Sequence, residues 1–492
     1  MGAPDLAGLS AELMLIIGIV AVLFADIALK SNPAREKILL SLATLGILGA
    51  AAALIGCPAP EGSIFHGMLA SDGFARFFKG LFLGTALLGC FFGAFSSEVA
   101  RERFGEYLIL LLCITLGLML LSAAQNLLMI YLSLELVSLP SYSLTGFRRD
   151  DRRSSEAALK YVIFGAAASG FMLYGFSLLY GLCGTLELSQ IGPALVHLAG
   201  SGGAAERLAV SVAVLSALVG FAYKVAAVPF HMWCPDVYEG APTPFVAFLS
   251  VGPKAAGLAA LIRFLLVGLG EPAFGIGFPW PVLLGIASIA TMTVGNLMAI
   301  HQNNVKRLLA YSSIAHAGYM LMGVAAGTPE AVQAVMIYTP IYLFMNMGAF
   351  LVIMAVRARD GAEDIPAYVG LGTRSPVLAV SLAIFLFSLT GMPPFAGFIG
   401  KFFLFASVLQ VKQPFFYTLA IIGVLNSVVS LYYYVRIVRA MFLEKAEEAA
   451  PALPLAGIPA TLLTLLALPT LVFGIWWGPL AELVQRAGVL LR

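Results

Sequence analysis

Apolar runs about twenty residues long, separated by short polar stretches, recur along nearly the whole chain. A helix needs about 20 residues to cross an apolar core of roughly 30 Å, so each such run is a candidate membrane span. Fourteen segments qualify. The first six centre near Ile19, Ile47, Leu87, Leu116, Leu136 and Met172. The other eight lie near Leu215, Ala256, Thr291, Leu321, Phe344, the run Val377 to Leu409, Val428 and Leu468. The pattern predicts an all-α, polytopic membrane protein of about fourteen transmembrane helices. Val377 to Leu409 is 33 residues, about 50 Å as one helix at roughly 1.5 Å per residue. That is too long for one straight span, and Pro393-Pro394 is its obvious interruption.

A five-residue pattern, G-F-x-x-K, occurs twice inside these runs, as Gly220 to Lys224 and Gly397 to Lys401. The 177 residues that separate Lys224 from Lys401 also separate Gly146, after helix five, from Gly323, after helix ten. Helices four to eight therefore read as a duplicate of helices nine to thirteen. Five is odd, so consecutive copies run in opposite senses through the membrane, the inverted arrangement of many ion transporters, whose sites lie mid-membrane on broken helices. Breaks are expected in helix seven, at Pro229, and in helix twelve, at Pro393-Pro394. Because Pro229 follows its lysine and Pro393-Pro394 precedes the other, the two breaks should differ in detail. The expected units are residues 1–104 with three helices, 105–270 and 271–445 as the two repeats, and 446–492 with the last helix.

Composition agrees with this reading: the chain of 492 residues is 60% hydrophobic and 11% charged, and its mean hydropathy is +0.95. Those values lie far from a soluble domain, and nothing suggests a nucleic-acid surface. Most lysines and arginines collect on one side of the predicted spans, including Lys30, Arg35, Arg101, the cluster Arg148-Arg149-Arg152-Arg153, Lys306, Arg307, Arg357 and Arg436. The other side has only Arg76, Lys79, Arg207, Arg263, Lys412, Arg486 and Arg492. By the positive-inside rule both termini face away from the cytoplasm. The first segment has neither a basic start nor an A-x-A exit and reads as a retained helix.

Five cysteines, Cys57, Cys90, Cys113, Cys183 and Cys234, form no C-x-x-C pair. They read as packing residues, not as ligands of a metal or an iron-sulfur cluster. No dinucleotide fingerprint or phosphate loop is present, so no cofactor is expected in this chain.

Lys224, Lys254 and Lys401 remain inside apolar segments. A charge at that depth costs at least about 2.5–3.5 kcal/mol, which marks functional candidates. Each can instead snorkel toward an interface. Glu135 stands mid-helix in YLSLELVSLPSY, either as their partner or as a protonated, satisfied core group. With one acid for three lysines, Glu135 neutralises one at a time, and moving it between partners would switch proton affinity. His231, seven residues after Lys224, and His316, four beyond Ser312, are relay candidates. Ser312 is the position that the 177-residue offset pairs with Glu135. His66, His197 and His301 read as loop or interface residues. Lys306 reads as an orientation signal or a proton-entry group, Arg148 to Arg153 as a solvated loop, and Asp26 as a carboxylate that reaches water or a neighbour.

The segment PFHMWCPDVYEGAPTPFVAFLSVGPKAAG, Pro229 to Gly257, resembles the signature of the subunit N family of proton-pumping NADH:quinone oxidoreductase, respiratory complex I. GMPPFAGFIGKF, Gly391 to Phe402, resembles that family's twelfth helix. Both belong to a wider antiporter-like family, and the likeness covers roughly Glu106 to Phe442. The resemblance implies that Glu135 and Lys224 form a Glu-Lys pair, that Lys254 is a connecting lysine, and that Lys401 ends the second half-channel. It also implies partners: other complex I membrane subunits, internal water, protons and lipid, in the inner membrane of a bacterium. Flavin, iron-sulfur clusters and the quinone site are then expected in partner subunits. Cys234 stands where the family pattern leads one to expect threonine. A subunit of a multisubunit sodium/proton antiporter is the alternative reading, because the same lysines would serve it.

Overall fold

The structure is a computed structural model describing residues 3–57, 61–201, 203–270, 278–445 and 457–488. Arg492, counted above among the charges of the sparser side, lies outside the described residues. Six long helices come first: α1 (Ser10–Ala28), α2 (Arg35–Gly56), α3 (Gly73–Phe95), α4 (Phe104–Ala123), α5 (Leu127–Thr145) and α6 (Arg152–Cys183). A broken helix follows as α7a (Ala204–Val225) and α7b (Trp233–Gly240). Next come α8 (Thr243–Arg263), α9 (Trp280–Ile300), α10 (Val305–Ala326) and α11 (Pro329–Asp360). The second broken helix is α12a (Pro376–Thr390) and α12b (Ala396–Leu409), and α13 (Pro414–Phe442) and α14 (Ile458–Ile475) close the set.

Thirteen of these are long and apolar enough to cross a membrane, and α12a and α12b are two shorter apolar helices. The protein is therefore a polytopic, all-α membrane protein. Its small sheet is one antiparallel hairpin, β1 (Gly62–Ile64) with β2 (Leu69–Ser71), in register Ser63 opposite Ala70.

Polar residues at the segment boundaries start the helices. The side chains of Asp72, Asn126, Asp151, Asn304 and Thr328 accept N–H groups in the first turns of α3, α5, α6, α10 and α11, replacing partners that the helix itself does not provide. Lengths repeat with the offset seen in the sequence: Arg152 to Pro329 and Cys183 to Asp360 are both 177 residues, so α6 and α11 are each 32 residues long.

The breaks are structurally unlike. α7a ends one residue after Lys224, where Ala226 turns left-handed (φ 60°) ahead of a cis Val228-Pro229 bond. In helix twelve the turn comes first, at Gly391 (φ 88°), and Lys401 follows inside α12b. Lys224 thus closes the first half of its helix, whereas Lys401 sits in the second half of its own.

Burial separates centre from periphery. The apolar windows of α8 and α10 are entirely covered by the rest of the chain, against 28% for α1 and 22% for α2 and α14. α8 packs on α3, α4, α7a and α11, and α11 packs in turn on α12a, α12b and α14. A helix covered all round, rich in small residues, lets its neighbours approach closely. Gly257 shows how: a Cβ there would meet Lys224 Cγ at 3.1 Å.

Several charges that read as solvated are packed. Lys79 pairs with Glu12 at 2.7 Å, both buried, and the wholly buried Arg263 forms a fork to Asp72 at 2.8 and 2.9 Å. Asp26 does not simply reach water; it holds Arg35 at 2.6 Å. Arg148 leaves its loop to contact Glu98 at 3.5 Å and the Gly240 carbonyl at 2.8 Å. Cys57 is exposed, unlike the packing residue expected there. His66 lies in the hairpin turn and His301 caps α9, while His197 falls in the short helix Leu188–Ser201.

Candidate functional site: a polar axis through the helix core

Lys224 is buried near the end of α7a, and its Nζ donates to Ser138 Oγ on α5 at 3.0 Å. Glu135, one turn earlier on α5, is half-buried, and its Oε1 has no hydrogen-bond partner among the described residues. Glu135 and Lys224 share an electrostatic interaction, but their charged atoms do not form an ion pair within 4 Å among the described residues. In this conformation the Glu-Lys pair is open, with a serine in the carboxylate's place. Because Ser138 follows Glu135 by three residues, both lie on the helix face toward Lys224.

Lys254 lies at the centre of the wholly buried α8. Its Nζ donates to Ser313 Oγ at 2.5 Å, lies 3.9 Å from Cys234 Sγ and stands 5.6 Å from the centre of the Tyr238 ring. Ser313 also receives Tyr342 Oη at 2.8 Å and lies 3.2 Å from Tyr238 Oη. One hydroxyl on α10 thus joins a lysine on α8, a tyrosine on α7b and a tyrosine on α11. Cys234 is consequently part of the lysine's surroundings and not only packing.

His316 stands one turn beyond Ser313. Its Nδ1 bonds Tyr338 Oη at 2.5 Å, and its Nε2 lies 3.4 Å from Tyr434 Oη. Tyr434 also meets Ser312 Oγ at 2.5 Å. Ser312, the position paired with Glu135 by the offset, thus contacts a tyrosine on α13. The His316 and Tyr342 rings are 5.2 Å apart, which ties this group back to Ser313.

Lys401 ends the row. Its Nζ donates to the Leu389 and Thr390 carbonyls at 3.1 and 2.9 Å and to Ser427 Oγ at 2.9 Å. Those carbonyls belong to the last turn of α12a, which the break leaves without helical partners. The ammonium also lies 4.5 Å from the centre of the Tyr319 ring, whose neighbour is His316 at 5.7 Å. Gly391 is required here, because a Cβ would sit 2.8 Å from Lys401 Cδ as well as forcing a side chain into the left-handed region.

The structure thus draws Lys254, His316 and Lys401 together through Ser313 and a set of tyrosines, and leaves Lys224, Glu135 and His231 outside that group. Among the described residues Glu135 is not in direct contact with Lys224, and His231 lies in the α7 break with no hydrogen-bond partner for its Nδ1. Sequence reasoning missed Ser313, Tyr238, Tyr319, Tyr338, Tyr342 and Tyr434. A signal existed: Ser313, His316 and Tyr319 recur every three residues along α10, and Tyr338 and Tyr342 are four apart.

A second charged cluster surrounds α7b at the arginine-rich end. Arg307 reaches Asp236 at 2.7 Å and Glu239 at 3.0 Å, and Lys160 holds Asp236 at 2.8 Å. Lys306 is not a solvated signal: it is fully buried, donates to the Ala241 carbonyl at 2.9 Å and pairs with Glu363 at 3.1 Å. Arg357 bridges Glu363 and Glu98, lying 2.9 Å from the latter. Burial alone would raise the Glu98 carboxyl, but Lys306, Arg357, Thr243 and Arg148 hold it below the usual carboxylate range. The short α7b therefore shows acids to this cluster on one side and Cys234 and Tyr238 to Lys254 on the other.

Among the described residues, thirteen helices long and apolar enough to cross a membrane, two broken helices and lysines strung through the buried helix core define an ion-translocating membrane subunit of the antiporter-like class. The family described as NADH:quinone oxidoreductase/Mrp antiporter, TM matches residues 124–430, well over half of the chain, and the chain belongs to that family. Among its relatives is NADH-quinone oxidoreductase subunit N of Anaeromyxobacter sp. (strain Fw109-5), 49% identical over 98% of this chain and 96% of the relative. NADH-quinone oxidoreductase subunit N 2 of Sorangium cellulosum (strain So ce56) is 46% identical over 100% and 97%. A chain of respiratory complex I from Thermus thermophilus with bound aureothin superposes with a TM-score of 0.79 at 31% identity, over 96% of this chain and 98% of that one.

Proposed function

We propose that this chain is a proton-translocating subunit in the membrane arm of a bacterial NADH:quinone oxidoreductase. The observation that carries the reading is the row of polar and aromatic side chains from Lys254 through Ser313, Tyr342, His316 and Tyr319 to Lys401, linked by hydrogen bonds at its start and by ring contacts beyond Tyr342. Hydroxyl and imidazole groups can each accept a proton on one side and release one on the other. A lysine that loses its charge beside such a group passes the proton on, provided that water or a side-chain swing closes the remaining gap.

In this reading Lys224, tuned by Glu135, loads Lys254, and Lys401 discharges to the opposite side. His231 serves the loading end and His316 the middle. The driving force is quinone reduction elsewhere in the complex, transmitted as changes in conformation and electrostatics. The chain is then a pump module of an enzyme: its relatives are subunits of an oxidoreductase complex, and flavin, iron-sulfur clusters and the quinone site belong to its partners. The working units are residues 1–104, 105–270, 271–445 and 446–492. The charge asymmetry of the loops favours the inner membrane with both termini on the periplasmic side.

Measuring proton uptake beside quinone reductase activity in membranes carrying Lys224→Ala or Lys401→Ala tests the proposal. Pumping should fall in both with the complex still assembled, and wild-type pumping in both would overturn the assignment. Purification in mild detergent separates the antiporter alternative, since flavin and iron-sulfur companions belong with the pump alone.

A further inference from the structure

At the charge-poor end, the short helix Gly478–Arg486 follows α14 and packs Leu480 and Val484 inward. Between this helix, the end of α2, the start of α3 and α11 runs a groove of about 1310 Å³, walled by Leu54, Phe77, Leu81, Pro340, Leu480 and Leu483. Two guanidiniums, Arg76 and Arg486, stand on it as the only charged lining groups among the described residues. Ile55 and Leu483, at its rim, are 81% and 56% exposed, so the groove opens outward from the protein.

We propose that this groove binds one anionic phospholipid, the phosphate held between Arg76 and Arg486 and the acyl chains lying along the apolar wall. Charge is the first argument. The Arg76 guanidinium has no side-chain partner among the described residues, and Arg486 has only a solvated contact with Glu482 at 3.6 Å. The nearby carboxylates are already committed, Asp72 to Arg263 and Glu12 to Lys79. Two cations at a membrane interface without a counter-charge fit a phosphodiester.

Depth is the second argument. Pro340 is eleven residues into α11 from Pro329, about 16 Å at ~1.5 Å per residue, or half of a roughly 30 Å core. The groove thus descends through one leaflet, the reach of an acyl chain, whereas a neighbouring transmembrane helix would call for the full thickness. Trp476 and Trp477, both exposed just before the short helix, stand at the level where aromatic side chains meet lipid headgroups.

The experiment uses the full chain in detergent, with native mass spectrometry counting retained phosphatidylglycerol and phosphatidylethanolamine. Wild type should retain one phosphatidylglycerol in preference to phosphatidylethanolamine. The Arg76→Gln/Arg486→Gln pair should weaken that retention about thirtyfold, as expected for two interfacial cations. Gly80→Leu provides a second variant: a Cβ at Gly80 meets only Leu54 Cδ2 at 4.0 Å, so the larger side chain fills the groove without disturbing the fold, and it should also expel the lipid. Equal retention of both lipids, or undiminished phosphatidylglycerol in both variants, would overturn the proposal. So would cross-linking of Gly80→Cys to a neighbouring subunit in the intact complex, which would make the groove a protein interface.

Discussion

Ser313→Ala removes one oxygen and with it three contacts: Lys254 at 2.5 Å, Tyr342 at 2.8 Å and Tyr238 at 3.2 Å. Lys254 is then left with Cys234 Sγ at 3.9 Å as its remaining polar neighbour, a far weaker acceptor than a hydroxyl. A hydrogen bond to a charged group contributes about 1.5–3 kcal/mol, so the bridged arrangement should become roughly ten- to a hundredfold less populated. If protons cross between the two halves at this hydroxyl, pumping falls by about that factor. The assay is proton uptake into proteoliposomes carrying the intact complex, expressed per quinone reduced. Ser313→Thr keeps the hydroxyl and should recover most of the pumping, which separates loss of the relay from loss of packing. Wild-type pumping in Ser313→Ala would refute the reasoning, because this one hydroxyl joins Lys254, Tyr342 and Tyr238.

Gly391→Ala should impair pumping without blocking assembly, since a left-handed alanine costs about 1–2 kcal/mol and its Cβ would displace Lys401 from 2.8 Å; proton uptake by the variant complex checks this. Lys306→Met removes a buried cation shared with Glu363 and should destabilise by about 3–5 kcal/mol, read as a lower unfolding temperature in detergent, and an unchanged midpoint would count against the buried network. Burial alone would raise the Asp72 carboxyl, but Arg263, the Ala75 N–H and Lys79 hold it below the usual range. Its folded-state pKa is therefore depressed, so its stabilisation is present above the unfolded value of about 3.9 and is lost as pH falls through the lower folded value. The difference in unfolding temperature between wild type and Asp72→Asn should accordingly stay constant from neutral pH to about 4 and shrink below it; a constant difference throughout would argue against the ion pair.

The sequence by itself determined the number and placement of the spans, because a helix in lipid must satisfy its own backbone and cover a fixed apolar thickness. It also determined the duplication, which the 177-residue offset between α6 and α11 repeats in structure, and the three core lysines, because an ion in an apolar run is conspicuous wherever that run lies. Packing was less legible. Lys79, Arg263 and Lys306 are in no way different from orientation charges until Glu12, Asp72 and Glu363 are brought beside them from positions far along the chain. The same holds for the site: tyrosines and serines are ordinary in membrane helices, and only the tertiary structure decided that Tyr342 faces Ser313 and Tyr338 faces His316 across α10 and α11. Periodicity fixes which residues share a face of one helix, but which face meets which depends on contacts between helices whose separation in sequence carries no local signal.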